Sequence, residues 1–170
     1  NSEQPIRNFN RQYRGLITAR EALQTSQNVP AVKSFLKAPH ELSRETLIKM
    51  GITNLIDGEP FEATSIGAIT NGVTVEQNTN AYATFANGGK YIQSYIIDKI
   101  ETKDGDIVFE HKVKEVEVFS PQTAYLMIDM LRDVLRGGTA SSLPGRLSFK
   151  ADWAGKTGTS NDFHDAWFVA

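Results

Sequence analysis

Two short stretches hold side chains that could do chemistry together. Ser26-Gln27-Asn28 sets a hydroxyl and an amide two residues apart, and Lys156-Thr157-Gly158-Thr159 sets an amine beside two hydroxyls. Hydroxyls, amides and amines are the groups that move protons and hold carboxylates. Each stretch is weak alone, because a given tripeptide arises by chance in roughly one chain in twenty of this length. Ordinary duties would also suit them. Ser26 and Asn28 are good helix-capping types, and Lys156 and Thr157 could be strand residues facing water. Other chemistries are poorly supplied. The chain has no cysteine, which excludes thiol catalysis and a disulfide scaffold. His40, His111 and His164 stand apart with no ligand partner at metal spacing, so no metal site and no cofactor are expected.

The elements that must position these groups follow from capping and periodicity. Thr18 with Glu21 reads as a capping box opening a short helix to about Thr25, which places Ser26-Gln27-Asn28 at the junction with a second helix. Pro30 fits the first turn of that helix, which runs through Ala31, Val32, Phe35 and Leu36. A third helix is expected from about Glu41 to Met50, ended by Gly51 in a left-handed conformation. Thr53 to Gly72 reads as loop. Thr74 with Gln77 is a second capping box, and its helix carries Ala81, Tyr82 and Phe85 as far as Asn87-Gly88-Gly89. Tyr91 to Glu101 and Ile107 to Glu110 read as two strands joined through Asp104-Gly105. Ser120-Pro121 opens a long helix with an apolar stripe of Tyr125, Ile128, Leu131, Val134 and Leu135, closed by Gly137-Gly138. Gly138 to Pro144 is small and expected to be flexible. Two strands, roughly Ala154 to Thr159 and Ala166 to Ala170, close the chain, with Asn161, Asp162 and Asp165 as turn formers between them. Trp153 and Trp167 read as packing residues. Helices first and adjacent strands last predict an α+β domain with an antiparallel sheet.

Four blocks in this order resemble the transpeptidase domain of the class A, bifunctional penicillin-binding proteins, and the resemblance covers nearly the whole chain. They are Arg20-Glu21-Ala22-Leu23 through Ser26-Gln27-Asn28-Val29-Pro30-Ala31-Val32; Asn80 through Gly89; Thr123-Ala124-Tyr125-Leu126-Met127; and Gly155 through Asn161 followed by Asp165-Ala166-Trp167-Phe168-Val169. The family's motif set joins a Ser-x-x-Lys nucleophile, a Ser-x-Asn loop and a Lys-Thr-Gly strand. The resemblance implies a β-lactamase/DD-transpeptidase-like fold, an antiparallel sheet packed with helices plus a helical lobe. It also implies acyl transfer. A serine attacks the bond between two D-alanines of a peptidoglycan stem peptide, and the amine of a neighbouring stem resolves the acyl-enzyme. Ser26 would relay a proton to the leaving amine, and Asn28 would hold the substrate amide or a second lysine. Lys156 would draw in the terminal carboxylate and keep that second lysine neutral. Thr157 and Thr159 would donate to the carboxylate, Gly158 would let the strand approach the ligand, and the Thr159 N–H would face an oxyanion.

The pattern breaks at the nucleophile. Only twenty-five residues precede Ser26, and none makes a Ser-x-x-Lys. The sole match, Ser34-Phe35-Leu36-Lys37, begins eight residues after Ser26. On a helix eight residues span about 12 Å, too far for a shared site. Residues 1–170 are therefore expected to be the C-terminal part of the domain, incomplete at both ends, with a start at Asn1 and an end inside a strand at Ala170. The expected partners are stem peptide, β-lactams, the missing N-terminal part of the domain, as a separate chain if cleaved, and an upstream glycosyltransferase domain. The expected place is the extracytoplasmic face of a bacterial membrane, with the anchor in an N-terminal segment not among these residues. No apolar run approaches the ~20 residues of a membrane span. A net charge of −2 offers nothing to nucleic acid. One rival reading keeps the fold but changes the reaction, a D,D-carboxypeptidase or β-lactamase that uses water. Another belongs to a different class, a penicillin-sensing or purely structural module without turnover.

Overall fold

The computed structural model describes residues 5–160 and 164–170. Among the described residues there are six α-helices, one short 3-10 helix (Pro144–Arg146) and six short strands. Helices α1 (Ala19–Gln24), α2 (Asn28–Phe35), α3 (His40–Lys49), α4 (Phe61–Thr64) and α5 (Val75–Ala86) come first. Strands β1 (Lys90–Ile92), β2 (Lys99–Glu101), β3 (Ile107–Glu110) and β4 (Glu115–Glu117) follow, then the long helix α6 (Pro121–Gly137) and the strands β5 (Lys156–Thr159) and β6 (Ala166–Val169). The strands pair as three antiparallel ribbons, β1 with β4, β2 with β3, and β5 with β6. This is a mixed α+β arrangement.

Local chemistry explains most boundaries. Thr18 accepts the Glu21 N–H at the head of α1, but the Glu21 carboxylate pairs with Arg14 at 3.0 Å, so only half of the expected box forms. Thr74 and Gln77 make the full reciprocal box on α5. Ser120 accepts from Thr123 ahead of Pro121, which starts α6. Gly51 ends α3 at φ 85°. The segment read as loop holds one helical turn, α4.

Two expectations need correcting. Tyr91 to Glu101 is not one strand. The Asn80 amide donates to the Ile92 carbonyl at 3.0 Å and Ser94 bonds Glu76, so the chain leaves β1 and re-enters a different ribbon at β2. The partner of β1 is β4, which the sequence hides because a lone Val116 between two glutamates carries too little apolar signal. A Lys90–Glu115 ion pair at 2.6 Å holds it. The second correction concerns α6. Leu131, Val134 and Leu135 are buried and Ile128 partly so, but Tyr125 faces water, and Ala124 lies in the core instead.

Two apolar clusters result. Met50, Ile52 and Ala81 pack with Phe85, Phe119 and Val118, joining α3, α5 and β4. Val134, Leu135 and Ala140 pack with Leu143 and Trp153, which gives that tryptophan its expected packing role. Asp165 closes the turn between β5 and β6 through Ser160, its N–H donating to the Ser160 hydroxyl at 2.8 Å. Asn161 and Asp162 lie outside the described residues.

Candidate functional site

Ser26 sits where helix α1 ends. The Gln27 N–H donates to the Ala22 carbonyl at 2.9 Å and the Ser26 N–H to the Leu23 carbonyl at 3.2 Å. These two bonds form a Schellman turn, whose pivot takes the left-handed region. Glycine or asparagine usually fills that pivot. Here it is Ser26 at φ 54°, a strained choice for a residue with a Cβ. The turn aims the hydroxyl away from α1 toward β5.

There it meets Lys156. The Lys156 Nζ donates to Ser26 Oγ at 2.8 Å and to the Thr157 carbonyl at 2.9 Å. The two residues are 130 positions apart in sequence. Lys156 is half-buried, and desolvation lowers its pKa below the ordinary 10.5. The next side chain on the strand, Thr157, has its hydroxyl 2.6 Å from that of Thr139. Gly158 and Thr159 follow on the exposed part of β5, opposite Trp167 and Ala166 of β6.

Asn28 lies at the first residue of α2, and its amide donates to the Arg7 carbonyl at 2.9 Å. Neither Ser26 nor Asn28 caps the helix. The Val29 N–H is taken by Asn8 Oδ1 at 3.1 Å, and Asn8, 5% exposed, also donates to the Gln12 carbonyl. The structure thus joins Ser26, Lys156 and Thr157 directly and turns the Asn28 amide toward residues 7–8.

Helix α1 is pinned to α6 beneath this site. Arg20 reaches Asp129 at 2.5 Å and Asp133 at 2.6 Å, both on one face of α6, and also bonds the Asp129 carbonyl. The pair of carboxylates raises the Arg20 pKa further, and the guanidinium lowers that of Asp129. Past the end of α6, Gly138 lies so close to the Gln24 carbonyl that no Cβ would fit. The Thr139 N–H bonds that carbonyl at 3.3 Å, and Ala140 is buried. The stretch after α6 thus begins as a turn tied to the end of α1.

The site gathers hydroxyls and an amine, types able to move protons and hold carboxylates, on a helix junction and a strand. Over residues 1–170 the chain matches the family described as the penicillin binding protein transpeptidase domain. The chain belongs to that family. Penicillin-binding protein 4 of Bacillus subtilis (strain 168) is 31% identical over 163 residues, which is 95% of this chain and 26% of that protein. Penicillin-binding protein 1A of Clostridium novyi (strain NT) is 32% identical over 163 residues, covering 95% of this chain and 19% of its own length. The chain thus spans about a quarter or less of these curated relatives. Among solved structures, penicillin-binding protein 1A from Haemophilus influenzae superposes with a TM-score of 0.81 at 24% identity, over 99% of this chain and 30% of that one.

That likeness bears out the expected β-lactamase/DD-transpeptidase-like fold, and the family match bears out the resemblance drawn from the four blocks. For a penicillin-binding transpeptidase domain, two residues of this corner escaped sequence reasoning. Asn8 carried no signal in an irregular polar stretch. Arg20 lay inside a matching block without a role, although Asp129 and Asp133 at i and i+4 advertise one acidic helix face. Thr139, after two glycines, suits either a cleft-lining residue, as the family resemblance implies, or a flexible loop. Among the described residues, no cluster of three or more His, Asp or Glu could hold a metal ion, and no helix is long and apolar enough to cross a membrane.

Proposed function

We propose that the chain is the C-terminal part of a serine-type D,D-transpeptidase domain that cross-links peptidoglycan stem peptides and binds penicillin. The observation that carries this reading is the Lys156–Ser26 hydrogen bond. Because Lys156 is the donor, Ser26 keeps its own proton free for another acceptor. In the proposed reaction a nucleophilic serine outside these residues attacks the carbonyl between two D-alanines. Its oxygen forms an ester as the carbon–nitrogen bond breaks. The second lysine, a free amine beside that serine, takes the serine proton. Ser26 passes its own proton to the departing D-alanine amine and is reprotonated from that lysine, so Lys156 keeps its charge. The amine of a second stem peptide then attacks the ester. The carbon–oxygen bond to the serine breaks and the amine's proton returns to that oxygen, which restores the serine and forms the cross-link.

Lys156, Thr157 and Thr159 would meet the terminal carboxylate, with Gly158 allowing close approach and the Thr159 N–H facing the oxyanion. Asn28 would release Arg7 and hold the substrate amide or the second lysine. The parent polypeptide would be exported, tethered by an N-terminal segment and joined to a glycosyltransferase domain. The 19% to 26% share of the curated relatives leaves ample room for both.

Labelled benzylpenicillin tests the reading. The full-length polypeptide should gain one covalent adduct by intact mass, on a serine outside residues 1–170, and the isolated chain should gain none. An adduct on the isolated chain would show the nucleophile misplaced, and no adduct on the full-length protein would remove the reading. Slow loss of the adduct separates a transpeptidase from a β-lactamase.

A further inference from the structure

Thr139 is held in place more firmly than a surface threonine needs to be. Its N–H bonds the Gln24 carbonyl at the end of α1, its neighbour Gly138 abuts the same carbonyl, and Ala140 is anchored in the core with an N–H bond to the Val134 carbonyl. Backbone and core together fix this residue beside β5. Its hydroxyl then lies 2.6 Å from that of Thr157. Two hydroxyls this close share one proton between them, so one donates and the other is left with a free proton. Which way the pair runs decides what Thr157 can offer a ligand.

We infer that Thr139 is a positioning residue for Thr157: its hydroxyl donates to Thr157 Oγ1, so that the Thr157 proton points outward to a carboxylate-bearing ligand on β5. The inference rests on the transpeptidase reading and adds a residue to it. Lys156 supports this direction, because its Nζ already occupies the Thr157 carbonyl and brings positive charge to the same edge. An anion there attracts the Thr157 proton, and the Thr139 proton replaces it on the oxygen. A chain of donors polarises each member, so Thr157 becomes the stronger donor. Without the Thr139 hydroxyl, Thr157 would lose its fixed rotamer and half its pairing.

The test uses the full-length polypeptide and benzylpenicillin, with the concentration dependence of acylation separating initial binding from the covalent step. Thr139→Val should weaken binding about tenfold, as expected when a hydrogen bond to a charged group is misaligned, and leave the covalent step unchanged. Thr139→Ser should restore it. Penicillin methyl ester, which lacks the carboxylate, should bind wild type and Thr139→Val alike. With Thr157→Val in place, adding Thr139→Val should change nothing further. Equal binding of benzylpenicillin by wild type and Thr139→Val would overturn the inference, as would an equal loss for the ester. No acylation of the wild type at all would sink the transpeptidase reading, and the inference with it. If circular dichroism shows Thr139→Val unfolded, Thr139→Ala gives the same comparison with less bulk.

Discussion

The β2–β3 ribbon and the seam between α1, α6 and β5 are built on opposite plans. Every residue of both strands in the ribbon is exposed, including Ile100, Ile107, Val108 and Phe109. Its shape comes from the ladder and from a turn in which Thr102 receives the Asp106 N–H on its hydroxyl and the Gly105 N–H on its carbonyl. In the seam little is local. Leu131 is 4% exposed and its carbonyl accepts the Gly155 N–H just before β5, Arg20 crosses to Asp129 and Asp133, and Lys156 reaches back to Ser26. The ribbon's ladder and turn lie within its own few residues. The seam exists only when segments more than a hundred positions apart meet, which is why the candidate chemistry depends on the fold there and not at the ribbon.

Truncating one side chain in each region is the sharpest contrast. Leu131→Ala should destabilise the chain by about 2–5 kcal/mol in urea unfolding, since it opens a cavity under both α6 and β5. Ile107→Ala, at a position 56% exposed, should stay within about 0.5 kcal/mol. Similar losses at the two positions would mean that the ribbon is packed against something and the comparison is wrong.

A smaller effect probes how the seam is shaped. Ser26→Ala and Ser26→Gly both delete the hydroxyl that Lys156 bonds, so they share that loss. They differ at φ 54°, which glycine tolerates and alanine does not. Ser26→Gly should be more stable than Ser26→Ala by about 1 kcal/mol. If the two midpoints coincide, the Schellman turn is not strained at its pivot. If they separate as expected, serine is kept there at a cost in stability, and its hydroxyl is the reason.

The same division governs what could be read from the letters. The hairpin turn at Asp104-Gly105, the Thr74–Gln77 box and the Ser120-Pro121 start of α6 are local signals, and each forms as expected. Tyr91 to Glu101 carries no such local mark, because the Asn80 amide, twelve residues back on α5, takes the Ile92 carbonyl and ends β1 early. At the site, Ser26 and Lys156 could be named from type and order, and their meeting at 2.8 Å is a tertiary fact. Asn8 acts through its position alone: a buried cap contributed from twenty-one residues away leaves no periodic or compositional trace. Thr139 stands in a glycine-led stretch that suits a cleft wall or a loop equally, and only its bond to the Gln24 carbonyl places it.

The smallest expected effect is a pH slope, and it separates the seam from everything else that titrates in alkali. Desolvation lowers the Lys156 pKa in the fold below 10.5, its value in the unfolded chain. Below the folded pKa both states hold the proton, and above 10.5 neither does. Between them the unfolded chain binds more protons, so stability rises with pH across that window. Tyr82 works against this. Burial raises its pKa above 10.0, so the unfolded chain gives up its proton first and stability falls as pH climbs past that value. Lys90, whose pKa Glu115 raises, likewise loses its ion pair at high pH. The raw profile therefore mixes opposite signs. Subtracting the profile of Lys156→Met removes the shared groups and leaves the lysine. The wild type should gain on the variant as pH rises toward 10.5 and hold level above it. The gain should be slight, because water still reaches part of the side chain. A difference that stays flat from neutral pH upward would mean that the amine is not desolvated in the seam, and that its bond to Ser26 is made at the surface.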